Sequence, residues 1–316
     1  MLTRPLRLGT RRSPLALAQA EEARARLIAA HGLQPADIQL VTVLASGDRV
    51  QDRPLAEIGG KALWTKELDA ALLAGEIDFA VHSAKDVETL RPAEIAISAV
   101  LPREDVRDVL VLRQAQDERM GFKGIAALSP GARIGTSAPR RAAQLLHMRP
   151  DCVIVPFRGN VATRLAKLAA GEADATLLAA AGLNRLGEHA TGQALDAEQW
   201  LPAPGQGAIA IECRAKDASV RALLAAIDHA PSRDAVMAER ALLAALGGNC
   251  HSAIAVLTSA EEGMLTMRAA LFSPDGRERV EASAQFPPSE VDAPARLAAK
   301  LLGQASAAIT AHFAGP

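Results

Sequence analysis

One ordered pattern occurs twice along the chain. Arg7-Leu8-Gly9-Thr10, followed by Ser13-Pro14, returns as Arg133-Ile134-Gly135-Thr136-Ser137-Ala138-Pro139. Leu73-Ala74-Gly75-Glu76-Ile77-Asp78 returns as Leu168-Ala169-Ala170-Gly171-Glu172-Ala173-Asp174. The first pair reads as a strand, Gly-Thr, and a helix opened by proline. The second reads as a helix, a tight turn and a strand. Alternation of this kind builds α/β sheets with parallel strands. Two such runs in matching order predict two similar α/β domains facing each other, with a ligand cleft gathering both sets of strand ends. Chance likeness between alanine-rich helices is the competing reading.

In the first copy, Leu6–Thr10 reads as a strand. Serine is a good N-cap and proline suits the first helical position, so Ser13-Pro14 opens a helix. Apolar residues at 15, 17, 18, 20, 23, 27 and 28 carry it to about Ala30, and His31-Gly32 ends it. Thr10, Arg11, Arg12 and Ser13 lie between strand and helix, a suitable place for an anion; a plain capped helix with exposed arginines reads equally well. Ile38–Leu44 is the next strand. Residues 49–61, with Pro54 and Gly59-Gly60-Lys61, read as a mobile loop, and a helix runs from Trp64 to Leu73.

That helix feeds Phe79-Ala80-Val81, a short buried strand running into His82-Ser83-Ala84-Lys85-Asp86-Val87. In an open α/β sheet the loop after a strand's carboxyl end is where ligands sit. A lysine beside an aspartate there is either a functional pair or an ordinary ion pair on a solvated loop. Ile95–Val100 is another strand. Pro102-Arg103-Glu104-Asp105 looks like a crossing point, because Val109–Leu112 starts a fresh β run.

In the second copy, arginines fall at strand ends and helix starts. Arg140 and Arg141 lie in the first helical turn, the unfavourable end of the macrodipole, which implies an anionic partner. Arg158 follows the strand Val153-Ile154-Val155. Arg164 falls near the next helix start, and Arg185 follows the strand Thr176–Ala179. Each alone reads as a surface residue. Together they predict a ligand bearing several carboxylates, because the planar guanidinium fork makes paired, charge-assisted bonds.

Composition removes other classes. The 316 residues allow two or three domains, and 49% hydrophobic content argues against wholesale disorder. Aromatics are 3% with no tyrosine, a poor supply for stacking nucleic-acid bases. A formal net charge of −1 offers no global field for nucleic acid or membrane. No apolar run reaches transmembrane length and no secretory signal is evident at the N-terminus. Three cysteines without CxxC or Cys/His spacing imply a reducing compartment and no metal site. Cys152 and Cys213 lie in apparent strands and read as small hydrophobes. Cys250 follows Gly247-Gly248 in a loop beside His251, and reads either as an unremarkable thiol or as a nucleophile or attachment point.

Trp200-Leu201-Pro202-Ala203-Pro204-Gly205-Gln206-Gly207 reads as a hinge-like linker. Ala208–Glu212 is a strand that returns to the first domain. A helix from Ser232 to Leu246, strands near 253–258, 264–272 and 277–285, and a long helix over 292–313 form a small α+β unit.

These residues together resemble the porphobilinogen deaminase family, nearly end to end. The resemblance rests on Leu8-Gly9-Thr10-Arg11-Arg12-Ser13-Pro14-Leu15-Ala16-Leu17, on Gly59-Gly60-Lys61 with Lys66-Glu67-Leu68, and on Val81-His82-Ser83-Ala84-Lys85-Asp86-Val87. It continues through Gly135-Thr136-Ser137 with Arg140-Arg141, Arg158-Gly159-Asn160-Val161 with Thr163-Arg164-Leu165, Ala181-Gly182-Leu183-Asn184-Arg185-Leu186, Gly205-Gln206-Gly207 and the Cys250 loop. It implies two domains similar to periplasmic binding proteins of the second type, with the chain crossing between them twice, and a small C-terminal α+β domain. The corresponding bounds are 1–106 with 208–226, then 107–207, then 227–316.

The resemblance also implies a transferase; a cytoplasmic monomer is expected, with no nucleic-acid or membrane partner. Its cofactor would be a dipyrromethane joined to Cys250 by a thioether. Four porphobilinogen molecules would be condensed head to tail with loss of ammonia, giving hydroxymethylbilane. Asp86 would be catalytic, stabilising positive charge on pyrrole nitrogens and moving protons. Ser83, Lys85, Thr136, Ser137, Arg140, Arg141 and Arg164 would hold the cofactor, and Arg11, Ser13, Arg158 and Arg185 the substrate. The chain departs from the family pattern at Ala138 (often serine), Glu88 (often proline), Asn249 (usually glycine) and Trp64 (usually phenylalanine). Two rivals remain: a solute-binding module for a polycarboxylate, and a cysteine hydrolase using Cys250 and His251. The hydrolase lacks an orienting third group, and adjacent residues rarely present side chains to each other.

Overall fold

The computed structural model describes residues 4–44, 65–113, 124–248 and 252–313. They divide into two compact units: Met1–Glu104 with Gly207–Val236, and Asp105–Gln206 with Met237–Pro316. Along the chain come β1 (Leu6–Arg11), α1 (Pro14–His31), β2 (Ile38–Val43), α2 (Lys66–Leu73), β3 (Phe79–Ser83), a 3-10 turn Ala84–Asp86, and β4 (Ile95–Val100). Then follow β5 (Asp108–Leu112), β6 (Arg133–Gly135), α3 (Pro139–Met148), β7 (Val153–Val155), α4 (Val161–Ala169), β8 (Ala175–Ala179), α5 (Ala180–Arg185) and β9 (Gln193–Ala194). The chain closes with β10 (Ile209–Arg214), α6 (Ala218–Ala225), α7 (Ala230–Ala245), β11 (Ile254–Glu261), β12 (Met264–Phe272), β13 (Arg279–Phe286), α8 (Ala293–Gln304) and α9 (Ala307–Thr310).

The first unit carries a sheet in the order β2-β1-β3-β10-β4, and the second a sheet in the order β7-β6-β8-β5-β9. Both share one plan. Three parallel strands come first, and the fourth runs antiparallel to its neighbours. The sequence repeat is thus a repeat of topology. Its two glycines serve space rather than unusual backbone. A Cβ on Gly9 would strike Ile77, and one on Gly135 would strike the Phe157 ring. Each strand accepts a large side chain flat against it, and Ile77 and Phe157 are both fully buried.

Helix α1 starts as its sequence dictates. Ser13 Oγ accepts from Ala16 N at 3.3 Å, Pro14 occupies the first turn, and Gly32 closes the helix in the left-handed region (φ 63°). Its buried face, Ala20, Ala23 and Leu27, packs with Leu8, Phe79, Ile209 and Ile211 in the core of the first sheet. Among the described residues, the expected Trp64–Leu73 helix is seen from Lys66; Trp64 and the expected loop at 49–61 lie outside them.

In the second unit a three-stranded antiparallel sheet, β11-β12-β13, follows the α/β sheet. Ala143 of α3 shares a core with Leu201, Ala253, Ala255, Ala270 and Phe272, so this sheet packs on the helix that opens after β6. The expected long helix at 292–313 is broken: Ala305 is extended, and a new short turn, α9, begins after Ser306 and buries Ile309. The Ser306 hydroxyl donates to Glu278 rather than to the backbone of that turn. Along the expected linker Trp200–Gly207 the chain passes from the second unit to the first, between Gln206 and Gly207. Trp200 and Leu201 are buried, Trp200 Nε1 donates to Asp108 Oδ2 at 2.7 Å, and Gly205 N donates to Glu239 Oε2 at 2.6 Å.

Candidate functional site

In the first unit, β1 and β3 are adjacent and parallel, so their carboxyl ends lie side by side. Arg11 ends β1, Ser13 caps α1, Ser83 ends β3, and Asp86 closes the 3-10 turn beyond it. Thr10 Oγ1 donates to Ala16 O at 3.1 Å, tying strand to helix. These elements enclose a recess of about 40 Å³ lined by Arg11, Ser13, Leu15, Ala16, Gln19, Val81, His82, Ser83 and Asp86. Arg11 Nη1 stands 3.7 Å from Asp86 Oδ2, with 17% and 31% of the two side chains exposed. That separation is an ion pair rather than a direct hydrogen bond. Lys85 is half-buried on the same turn.

Gln19 was not among the expected site residues. Its Nε2 lies 2.8 Å from Ser83 Oγ, and it is buried in the lining of the recess. The signal was present: Gln19 is a polar residue on the face of α1 formed by Ala16, Ala20, Ala23 and Leu27.

In the second unit, Thr136 and Ser137 link β6 to α3. Thr136 Oγ1 accepts from Ala138 N at 3.2 Å. Ala138 occupies the N-cap position and supplies no side-chain cap, so its departure from serine leaves the first-turn N–H groups without that partner. Ser137 Oγ and Arg140 Nε are buried polar atoms with no hydrogen-bond partner among the described residues.

Arg140 and Arg141 are deeply buried rather than displayed at the surface. The anion they face among the described residues is Asp108. Arg140 Nη2 donates to Asp108 Oδ2 at 2.7 Å, and Arg141 donates to Oδ1 from Nη2 at 2.7 Å and from Nε at 3.2 Å. Trp200 Nε1 and Gln206 Nε2 (2.9 Å) also donate to this carboxylate. The remaining contacts fix the guanidinium planes: Arg140 Nη1 on Leu201 O at 2.9 Å, Arg141 Nη1 on Leu177 O at 2.8 Å. Burial alone would raise the Asp108 pKa, but the charges of Arg140 and Arg141 and the donated bonds hold it far below the usual carboxylate range. Burial and the neighbouring Arg141 lower Arg140, with Asp108 opposing. Two guanidinium groups against one carboxylate leave a buried positive charge at an uncapped helix start.

Asp108 too was missed by sequence reasoning. Its signal is a charge opening the fully buried run Val109–Leu112, while its partners lie 32, 33, 92 and 98 residues away. Elsewhere in this unit, Arg158 is half-buried after β7. Asn160 caps α4 by accepting from Thr163 N at 2.9 Å, and Arg164 Nε donates to Gly159 O at 3.0 Å. Arg185, half-buried, ends α5. Cys152 and Cys213 are buried free thiols, their pKa raised chiefly by burial. Cys250, Asn249 and His251 lie outside the described residues.

Two family models match. "Porphobilinogen deaminase, dipyromethane cofactor binding domain" covers residues 6–222, and "Porphobilinogen deaminase, C-terminal domain" covers 234–303. Among curated relatives, a porphobilinogen deaminase of Sphingopyxis alaskensis is 57% identical over 311 residues, spanning 98% of this chain and 97% of its own. That of Paracoccus denitrificans is 49% identical over 305 residues, spanning 96% and 95%. Similar solved structures include the periplasmic aliphatic sulphonate binding protein SsuA of Escherichia coli, 14% identical with a TM-score of 0.42 over 77% of this chain and 70% of that one. Another is a double mutant of the VFT2 domain of BvgS from Bordetella pertussis, 19% identical with a TM-score of 0.41 over 74% and 91%.

Proposed function

The chain belongs to the porphobilinogen deaminase family, and we propose that Asp86 is its catalytic carboxylate, served by the anion recess of Arg11 and Ser13. The enzyme is a transferase of porphyrin biosynthesis. It joins four porphobilinogen molecules head to tail on a dipyrromethane cofactor, releasing ammonia at each step, and water then cleaves the chain from the cofactor as hydroxymethylbilane. A solute-binding role is not favoured, because the family match runs through the cofactor-binding and C-terminal domains alike.

The chain's own residues fit that cofactor. Its rings carry carboxylates, and Ser137 Oγ and Arg140 Nε are buried atoms still lacking a partner among the described residues. Thr136, Ser137, Arg140 and Arg141 would take a cofactor carboxylate at the start of α3, with Ser83, Lys85 and Arg164 as further holders and Cys250 as the covalent anchor. When bound, the dipyrromethane supplies the pyrrole α-carbon at which the first new carbon–carbon bond is made.

Asp86 acts on charge and protons. Its carboxylate, held 3.7 Å from Arg11, accepts from a pyrrole N–H and stabilises the positive charge that develops on that ring. It can also take the proton shed when the ring regains aromaticity. Arg11 and Ser13 receive a substrate carboxylate at the N-terminus of α1, with Gln19 holding Ser83 in place. Arg158 and Arg185 bind carboxylates of substrate or growing chain. The observation that carries this reading is the recess itself, which brings Arg11, Ser13, Ser83 and Asp86 together from separate elements.

Asp86→Asn tests it. The expected variant keeps its cofactor by intact mass yet turns over about 10²–10⁴-fold more slowly. Near-normal turnover would remove Asp86 from its role. Loss of the cofactor's mass on Cys250→Ser checks the attachment point.

The chain works as a cytoplasmic monomer, divided into 1–106 with 208–226, then 107–207, then 227–316. Among the described residues no helix is long and apolar enough to cross a membrane. The buried free thiols Cys152 and Cys213 suit a reducing compartment. Light scattering on the eluting protein measures the oligomeric state; a dimer mass would overturn the monomer.

A further inference from the structure

Beneath the turn that carries Lys85 and Asp86 lies a charged cluster that the proposed chemistry does not use. Glu212, on β10, is fully buried in the interior of the first sheet. Its strand lies between β3 and β4 and is antiparallel to both. Opposite Ile211 and Glu212 the register on β4 jumps from Ala99 to Ile97, so β4 carries one extra residue there. Such a bulge re-aims neighbouring side chains. On the other side Glu212 faces Ala80, whose methyl group leaves room for a long side chain, and His82 is the diagonal neighbour.

The Glu212 carboxylate meets two side chains, Arg91 and His82. Arg91 binds it through both prongs of the guanidinium, Nε to Oε1 at 2.8 Å and Nη2 to Oε2 at 3.0 Å. His82 Nε2 stands 3.2 Å from Oε2, in close contact though outside hydrogen-bond geometry. Arg91 is anchored in turn on Asp69 of α2, with Nη1 to Oδ2 at 3.0 Å and Nη2 to Oδ1 at 2.5 Å. Glu88, partly exposed, stands 3.7 Å from Arg91 Nη1.

The sequence positions of these partners matter. His82 precedes the 3-10 turn and Arg91 follows it. One buried carboxylate therefore grips the chain on both sides of Lys85 and Asp86. Between those grips the turn has its own fixings, Ala84 N on Ala208 O at 2.9 Å and Val87 N on Ala84 O at 3.2 Å. As a stabilising device a buried ion cluster is a poor choice, since desolvation cancels most of its attraction. Its advantage is orientation, because a two-pronged guanidinium–carboxylate contact fixes direction as well as distance. Burial would raise the Glu212 pKa, yet His82 and Arg91 hold it lowered, so the carboxylate stays charged.

We infer that Glu212 is a positioning residue for the reaction, acting through His82 and Arg91 to fix the turn that presents Asp86. The inference rests on the reading of Asp86 as catalytic. Small displacements of a reacting group cost large factors in rate, which is what such a clamp prevents.

The test is a double-mutant cycle on the cofactor-loaded enzyme, with loading read by intact mass. Glu212→Gln is expected to keep its cofactor, to lower kcat about 10–100-fold, and to leave KM within about threefold. Added to Asp86→Asn, it should cost less than about twofold more, because residues acting through one another are not additive. Unchanged kcat in Glu212→Gln, or a loss that multiplies fully with that of Asp86→Asn, overturns the inference. Arg91→Lys keeps the charge but loses the fork, and carries the same cycle if Glu212→Gln does not fold. Its expected loss is about 3–10-fold in kcat, and a wild-type kcat overturns the inference. Near-normal turnover in Asp86→Asn alone would remove the Asp86 reading and this inference with it. A crippled Asp86→Asn beside a normal Glu212→Gln removes only the clamp.

Discussion

Arg140 Nη2 lies 2.7 Å from Asp108 Oδ2, with both side chains buried. Arg141 takes the other oxygen of the same carboxylate at the same distance. The helix-start arginines that suggested an anionic ligand thus already hold an anion of the protein, and the surplus positive charge is what remains for a ligand. Asp108→Asn leaves two buried guanidinium groups without their counter-ion. Removing one partner of a buried ion pair costs about 3–5 kcal/mol. The unfolding midpoint in urea should fall accordingly, and intact mass should show a reduced cofactor load. A variant as stable as the parent, fully loaded, would deny Asp108 this part.

Arg158→Lys tests the arginine set at another point. Arg158 leaves β7 half-buried, where the strand ends and the Gly159-Asn160 turn begins. Lysine keeps the charge and loses the planar fork. Native mass spectra after limited substrate should show the ladder of enzyme–substrate complexes shifted towards its short members, with elongation slowed about tenfold. An unchanged ladder would count against a substrate role for this residue.

What sequence could reveal here depended on how far apart the partners lie. The starts of α1 and α3 were legible because cap, proline and Gly-Thr sit within a few residues of one another. Arg11, Ser13, Ser83 and Asp86 could be named from strand ends, and the first unit brings them to one recess. Asp108, Gln19 and Glu212 escaped notice because the meaning of each comes from distant segments. Trp200–Gly207 read as a linker because prolines and glycines signal turns, but that reading did not include the bond from the Trp200 indole to Asp108. No local pattern encodes that contact.

Acid should weaken the first unit through Asp78. Burial would raise its pKa, but hydrogen bonds from Arg4 (2.6 and 2.8 Å) and from Arg7 N (2.8 Å) lower it from 3.8 to about 2. A folded-state pKa below the unfolded one stabilises above the unfolded value and is lost as pH falls through the folded one. The contribution is therefore complete above about pH 4 and disappears towards pH 2. Arg4 is half exposed, so solvent screening cuts the effect to on the order of 1 kcal/mol. Asp78→Asn should sit below the parent in urea stability at pH 5 and approach it at pH 2.5. A gap independent of pH would show that the carboxylate's charge is not what stabilises.

The C-terminal sheet meets the arginine-bearing helix at one glycine. Gly276 has φ of 72°, and a Cβ there would stand 2.5 Å from Ala143 O, 2.7 Å from His147 N and 2.7 Å from Leu146 Cβ. Two of those atoms are helix backbone, which cannot swing aside. His147 Nδ1 and Gly276 O, 2.9 Å apart, share a hydrogen bond, and the His147 ring meets Phe272 edge-on with centroids 5.9 Å apart. Gly276→Ala combines the strain of a left-handed residue with a clash against α3, and should cost about 2–4 kcal/mol. Because α3 also carries Arg140 and Arg141, the shift should pass into the start of that helix. Cofactor loading by intact mass is then expected to fall together with the urea midpoint, whereas a loop mutation of equal cost far from α3 should lower only the midpoint. Full loading in a destabilised Gly276→Ala would mean that the helix start holds its geometry without the sheet behind it.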